Sequence, residues 1–558
     1  MVDILEIINE LPSNPSEALI ELDWRISKMT HLFPKPHKKS DIVYHVPLLL
    51  DNKKSYLKPT FDSQSYIDYL KANGKSRKKK PIPNYKPPFK LWDTFGFNKE
   101  WTRFTRDDIM NTIQDKDTSD QYGANFFVLH SLIDLEPKLL DFLVDSYNRL
   151  MDHEICPEWS NCKIVPAHKG GDIGDISNFR PLTILPIVVR IWDSIISRKL
   201  SNLLTNNGVI DTLIQRGVLR GVGGLSQNVY DVNKKMCSMS DDEICFFIDI
   251  TNAYGSVNYE LMCHMLREYN FSPSFTKYVE TYYMNAIASY DNKMFRWGNG
   301  LYQGSGLSNI LFLIYMDYCL KNITIDLKMM RITDFGFDFQ NKTRVFVDDL
   351  VMFLPVRSYD AVIKFIQMIF GFYGLQINQK KTYFFMNDAK VVELAVGDIK
   401  FNRVHIDFLY LGIGLICFRE EFLRNYRGKI QRYLEEIDSI SIDGQYKTYL
   451  YYRRVFQRIN HSLECYYVIF GRSAGLDEIM KLIGYFIYRW TGAFPSTYLE
   501  KHIEYIGNKG NHKLNWFLDS SNEPNEIDFG TLFGMENPCM EDIRDEMRSI
   551  NTDPYFGF

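Results

Sequence analysis

Residues 345–353, Val345-Phe346-Val347-Asp348-Asp349-Leu350-Val351-Met352-Phe353 ("VFVDDLVMF"), set two carboxylates side by side between apolar flanks. On either side "TRVF" and "LVMFLP" are rich in β-branched and aromatic residues, and each predicts a short strand. Val347-Asp348-Asp349 then falls at the tip of a hairpin. Adjacent carboxylates repel unless a cation stands between or beside them. Taken alone, the pair could equally be a solvated tip, where aspartate is a common turn former. A second apolar run ending in an acid, "ICFFIDITNAYGSV", shifts the balance, because Asp249 closes the strand-like "CFFI". Two strands that each deliver a carboxylate to one point make a hard-oxygen site for Mg²⁺. Two such ions held by three carboxylates are what an in-line phosphoryl or nucleotidyl transfer requires.

The rest of the chain bounds this idea. With 558 residues, 45% hydrophobic and 24% charged, it has the composition of a globular protein of several domain-sized units. No uncharged apolar run reaches about 18 residues, so no membrane span is expected. The start "MVDILEIINELP" is acidic and lacks a basic n-region, so no signal peptide is read. Nine cysteines without a CxxC pair predict free thiols in a reducing compartment, hence an intracellular protein. His153, Cys156, Cys162 and His168 match no usual zinc spacing and are expected to be scattered core or loop residues.

The net charge of −4 is unevenly spread. Residues 521–558 hold nine acids against two arginines, so −4 overall and −7 there leave +3 for the remainder. By contrast "KANGKSRKKKPIPNYKPPFK" (71–90) has eight basic residues, four prolines and no acid, which predicts an exposed linker. It could lie on a phosphate backbone, serve as a nuclear address, or be a solvated linker only. Charge alone neither requires nor excludes a nucleic-acid partner. The expected organisation is a helical region over 1–70, the basic linker over 71–100, mixed strands and helices over 101–415, a helical region over 416–505 and an acidic tail over 506–558.

With those blocks in place, the chain resembles a known family. "FVDD" resembles the [YF]-x-D-D catalytic hairpin of reverse transcriptases, and other blocks of that family stand around it in order. "NCKIVPAHKGGD" with "NFRPLTILPIVVRIWDSII" resembles the fingers of non-LTR (LINE-type) retrotransposon enzymes, and "QRGVLRGVGGLSQNVYDV" the following block, usually Q-x-G-F. "FIDITNAYGSV" resembles the first palm motif, "LYQGSGLSNILF" the Q-G-x-x-x-S motif, "GLQINQKKTYFF" the G-L-x-I-N-x-x-K-T block and "FLYLGIGL" the primer grip. "FTRDDIMNTIQDKD" and "LMDHEICPEWSNCKIVP" resemble the extension that precedes the fingers in non-LTR enzymes. The likeness runs from about residue 104 to 415.

The resemblance implies an α+β right-hand polymerase fold: fingers and a palm with an antiparallel sheet over 101–415, then a helical thumb over 416–505. It implies an RNA-directed DNA polymerase working with an RNA template, a DNA primer or target and dNTPs, and acting in the nucleus, with the cytoplasm as the alternative. Its cofactor would be two Mg²⁺ ions, with Mn²⁺ as a substitute. Asp249, Asp348 and Asp349 would be catalytic and hold the metals, together with the Ile250 carbonyl. Lys169 and Arg180 would clamp the triphosphate, unless they are a surface lysine and a structural ion pair. Tyr254 after Ala253 would be the steric gate against a ribose 2′-hydroxyl, or else a core tyrosine. Gln303 and Gly304 would shape the floor under the templating base, where glycine lets backbone approach the nucleic acid. Lys381 would protonate the leaving pyrophosphate, or be a plain loop lysine. In the thumb, Arg424, Arg427, Lys429, Arg453, Arg454 and Arg458 would meet the duplex phosphates.

Some departures qualify the resemblance. No C-C-H-C knuckle and, after residue 505, no nuclease motif is recognisable; "TSDQYGANFF" replaces the P-G-x-D box often found upstream of the fingers, and the Q-x-G-F block reads Gln215-Arg216-Gly217-Val218. Within the same chemistry, a group-II-intron-like enzyme or an RNA-directed RNA polymerase is the alternative. From another class, the alternative is a catalytically silent RNA-binding protein on a polymerase fold. Retention of three carboxylates disfavours it.

Overall fold

The computed structural model describes residues 4–29, 59–73, 103–117, 124–219, 224–298, 300–329, 339–405, 408–442 and parts of 444–491. The basic stretch beyond 73 and the acidic tail lie outside them. The described residues divide into two compact units: those within 1–35, 54–222 and 242–403 form the first, and those within 223–241 and 404–491 the second.

The first unit holds two sheets. β1 (Cys162–His168) and β2 (Phe179–Ile184) pair antiparallel. With β3 (Glu243–Ile248) reserved for the larger sheet, β4 (Ile287–Tyr290) and β5 (Lys293–Arg296) complete a four-stranded sheet in the order β2-β1-β4-β5. The larger sheet adds β6 (Thr343–Phe346), β7 (Asp349–Pro355), β8 (Tyr383–Phe385), β9 (Glu393–Val396) and β10 (Ile399–Arg403), in the order β6-β7-β3-β8-β10-β9. β3 is interior, and Ile244 to Ile248 are all buried. A strand covered on both faces cannot alternate polar and apolar residues, which is why its sequence is one apolar run. The helix Gly306–Met329 is buried nearly all round from Leu307 to Ile323, as a core helix must be when apolar on every face.

Tyrosines fill much of this core because their rings bury area while their hydroxyls reach partners. Tyr302 donates to the Ser160 carbonyl at 2.7 Å, Tyr147 to the Val188 carbonyl at 2.8 Å, and Tyr278 accepts from the Trp159 indole at 3.0 Å.

Residues 4–29 belong to the same core. Asn14 caps the helix Pro15–Met29 by accepting from the Ser16 N–H at 3.0 Å, and Leu19, Leu22 and Ile26 are buried. The helix packs on Lys138–Arg149, Ala124–Leu135 and Ile187–Asn206. That last helix starts after Pro186, which has no capping side chain, so Asp23 accepts from the Ile187 N–H at 2.7 Å instead. Burial pushes the Asp23 carboxyl up to about 6, against the backbone donors of Ile187 and Val188 and the charge of Arg190. Nearby, the Ser16 hydroxyl accepts from the Cys156 N–H at 2.8 Å.

In the second unit β11 (Leu409–Tyr410) and β12 (Ile413–Gly414) make a hairpin whose turn residues, Leu411 and Gly412, both have positive φ. The helices Arg419–Asp438 and Ala474–Thr491 pack together. Phe422, Tyr426 and Tyr466 cluster with ring centroids 4.9–5.8 Å apart. Gly414 has to lack a side chain, since a Cβ there would strike the Phe422 ring at 2.2 Å. Arg424 and Lys429 are exposed on the first of these helices; the side chains of Arg453, Arg454 and Arg458 lie outside the described residues. Among the described residues no helix is long and apolar enough to cross a membrane.

Candidate active site

The acids stand at one end of the larger sheet. β3 and β7 pair antiparallel up to Ile248↔Leu350, so Asp249 and Asp349 sit one step beyond that pair, on adjoining strands. β6 and β7 close at Phe346↔Asp349, which leaves Val347-Asp348 as a two-residue turn. The hairpin lies where the sequence places it, but Asp349 is the first residue of β7 and not part of the tip. Val347 has φ +63°, a left-handed conformation that β-branched residues avoid.

Asp249 is held by a residue that the motif comparison left without a role. The Asn378 side-chain amide donates to the Asp249 carboxylate at 2.8 Å, and the Asn378 N–H donates to the Asp249 carbonyl at 2.8 Å. The Thr251 N–H donates to the Gln376 carbonyl at 2.8 Å, closing a bridge between Ile250 and Ile377. The Ile250 carbonyl takes no part in these two bonds.

Burial raises all three carboxyls, and Asp348 and Asp349 are raised further by their acidic neighbours. Burial first, then Asp348 and Asp249, push Asp349 up to about 7, with the Lys381 ammonium opposing. Burial and then Asp249 push Asp348 up to about 6, against its own backbone, Lys381 and Arg180. Asp249 is raised by burial against Lys381 and Asn378. Lys381 offsets the burial and mutual repulsion only in part, and the cluster's hard oxygens fit a divalent cation. Among the described residues, however, no three His, Cys, Asp or Glu side chains are drawn in around one point.

Cations stand opposite the acids. Lys169 follows β1, its N–H donating to the Asn178 carbonyl at 2.7 Å and its ammonium to the Ser177 carbonyl at 3.0 Å. The side chain as a whole is exposed, but its ammonium end is partly desolvated. That desolvation, followed by the charges of Arg180 and Lys381, draws its pKa below the ordinary lysine range. Arg180 lies exposed on β2 opposite Ala167. The structure thus brings Lys169, Arg180 and Lys381 within electrostatic reach of one another, and Lys381 within reach of all three aspartates.

Ala253 is buried, and Tyr254 opens a short 3₁₀ turn. The Tyr254 hydroxyl donates to the Asn309 side chain at 2.9 Å, and its ring stacks on Phe312 at 4.9 Å. Burial raises its pKa, with the charge of Asp348 adding to it, which places the ring near the hairpin turn. Gln303 and Gly304 lie against β2: the Thr183 N–H donates to the Gln303 carbonyl at 2.7 Å, and a Cβ on Gly304 (φ +124°) would come within 2.9 Å of the Thr183 carbonyl. Beside them opens a cleft whose walls include Lys169, Phe179, Asn252, Trp297 and Gln303. Asn309 and Asn378 both lie inside quoted motifs, but their partners are 55 and 129 residues away. No local pattern pairs them.

Residues 167–415 match the family described as reverse transcriptase (RNA-dependent DNA polymerase). The chain carries a reverse transcriptase domain. The fold is the α+β right-hand polymerase fold, with the larger sheet inside the matched segment. Reverse transcriptase domains generally use divalent metals. No curated protein matches the chain. Among solved structures, the RNA-dependent RNA polymerase of a human picorbirnavirus is similar at 11% identity with a TM-score of 0.34, over 63% of this chain and 61% of that one. Telomerase from Candida albicans, in a complex with the TWJ fragment of telomeric RNA, is similar at 12% identity with a TM-score of 0.34, over 73% and 80%. The chain thus spans less than two thirds of the first of these. Both similarities are slight, and the assignment rests on the family match.

Proposed function

We propose that this protein is a reverse transcriptase of the non-LTR (LINE-type) retrotransposon kind, adding dNTPs to a DNA primer or target 3′-hydroxyl along an RNA template. One observation carries it. Asp249, Asp348 and Asp349 stand at adjoining strand ends inside the matched segment, all three raised by burial, with Asp348 and Asp349 raised further by their acidic neighbours. The non-LTR subtype is supported by the blocks at 104–117 and 150–166, which resemble the extension before the fingers in those enzymes.

Asp249, Asp348 and the Ile250 carbonyl would hold Mg²⁺, or Mn²⁺ in its place, with Asp349 beside them. When bound, two such ions lower the pKa of the primer hydroxyl and neutralise the charge on the leaving pyrophosphate. Arg180 and Lys169 grip the triphosphate as fixed and mobile cations. Lys381 is placed in this scheme to give a proton to the pyrophosphate oxygen. The Tyr254 ring fills the space a 2′-hydroxyl would take, and Gln303 with Gly304 supports the templating base. Cationic thumb residues such as Arg424 and Lys429 hold the duplex by its phosphates.

The test is primer extension on an RNA template with Mg²⁺, offering dNTPs or rNTPs separately. Extension with dNTPs, lost in Asp348→Ala at unchanged template binding, is the expected result. Extension with rNTPs alone would make the protein an RNA polymerase, and template binding without extension would make it a silent RNA-binding protein.

A further inference from the structure

We propose that Gln215 is a positioning residue that holds the Val347-Asp348 turn, and through it the Asp348 carboxylate, in the conformation nucleotide addition needs. The proposal rests on the polymerase function above and adds a residue to its machinery. Segment 214–219 runs along the free edge of β6. The Val345 N–H donates to the Ile214 carbonyl at 2.8 Å, and the Arg216 N–H donates to the Val345 carbonyl at 3.1 Å. Beyond Val345 backbone pairing stops, because β6 is about to turn. The Gln215 side chain continues it. Its Nε2 donates to the Val347 carbonyl at 3.1 Å, and its Oε1 accepts from the Val347 N–H at 3.0 Å. One side-chain amide thus occupies both backbone groups of the residue before Asp348, as a neighbouring strand would.

Three further features make the contact selective. Gln215 is 1% exposed, and its Oε1 is also fixed by the Gly217 N–H at 3.0 Å, so the amide cannot swing away. Gly217 leaves the room required, since a Cβ there would lie 2.5 Å from the Val347 nitrogen and from its Cγ2. Val347 itself is β-branched at φ +63°, where glycine is the usual occupant of a two-residue turn. A strained residue persists only where its surroundings over-determine it, and such places cluster at functional sites. Release of Val347 would rotate the next residue, Asp348, and move its carboxylate away from Asp249. A turn that only had to reverse the chain would need neither the strain nor the clamp.

Gln215→Met keeps length and volume and removes all three bonds. Gln215→Glu keeps the acceptor but sets a negative oxygen against the Val347 carbonyl. Val347→Gly lets the turn form without the clamp. Two measurements on the full chain decide the proposal. In hydrogen exchange, the segment containing Val347 should exchange faster in Gln215→Met than in the natural protein, by more than the segments elsewhere that follow the accompanying fall in melting temperature. In single-nucleotide addition, scaled by active-site titration, Gln215→Met should lower kcat about tenfold or more. KM for dNTP and Kd for primer–template should stay within about twofold, the half-saturating Mg²⁺ concentration should rise, and adding Val347→Gly should restore part of kcat. An unchanged kcat per titrated site, or a loss confined to melting temperature and active fraction, would overturn it. If the natural protein extends no primer, the polymerase function fails on its own. The exchange rates then still decide whether Gln215 holds the turn: unaltered exchange in Gln215→Met would overturn the clamp as well.

Discussion

Asp193, in the helix Ile187–Asn206, is 1% exposed and accepts hydrogen bonds from the Tyr282 hydroxyl at 3.3 Å and from the Ser305 hydroxyl. Burial pushes its carboxyl up to about 7, with both hydroxyls pulling the other way. The folded protein therefore keeps a proton that the unfolded chain releases near pH 4, so the stabilisation is complete below about pH 4 and is lost as pH rises through about 7. The effect is at most about 4 kcal/mol for three pKa units. Asp193→Asn should flatten the pH dependence of urea unfolding between pH 4.5 and 8; an identical slope would show that other groups set it. Tyr254 offers a second test at this scale. Tyr254→Val should admit rNTPs while dNTP use falls modestly, and Asn309→Leu, which frees the ring's hydroxyl, should relax discrimination less. A lower melting temperature at an unaltered rNTP:dNTP ratio would make Tyr254 a core residue only. The three aspartates and Tyr254 were legible because local motifs carry them. Asp193 was not: in "RIWDSII" nothing sets it apart from its polar neighbours Arg190 and Ser194, and its partner Ser305 is 112 residues away.

Elements were easier to read than their joints. The apolar runs of β3 and β7 fixed strands buried on both faces, but whether Asp349 belonged to the turn or to the strand depended on a ladder register that composition does not encode. The loop Gln303–Ser305 shows the same limit. Its motif is plain in the sequence, whereas its docking on β2 through Thr183 depends on φ +124° at Gly304. Gly304→Ala should cost about 1–3 kcal/mol through a disfavoured φ and a clash with the Thr183 carbonyl, and should raise KM for dNTP. Gly306→Ala is the matched comparison, because its methyl would meet the Asp193 carbonyl at 3.4 Å with no positive φ. Chemical denaturation of the two variants should separate them clearly. Equal losses would mean that the backbone at Gly304 is not under the constraint described.

Across the whole molecule, helical spacing in residues 1–70 was visible, but not that residues 4–29 share the core of the first unit. Their apolar face has no partner nearby in sequence; it packs on helices that begin more than a hundred residues later. Removing residues 1–29 strips cover from that core and leaves the Ile187 and Cys156 N–H groups without their acceptors. Each orphaned donor costs about 1–3 kcal/mol, in addition to the lost burial of Leu19, Leu22 and Ile26. The shortened protein should bind a hydrophobic dye and melt at lower temperature; a protein of unchanged melting temperature that binds no dye would contradict this packing. The same bond has a consequence during synthesis. Asp23 and Ile187 are 164 residues apart, and at about 5–20 residues per second the first waits on the order of ten seconds or more for the second to be made. Until then the ribosome holds out a helix with a bare greasy face, a natural ligand for chaperones that shield nascent chains.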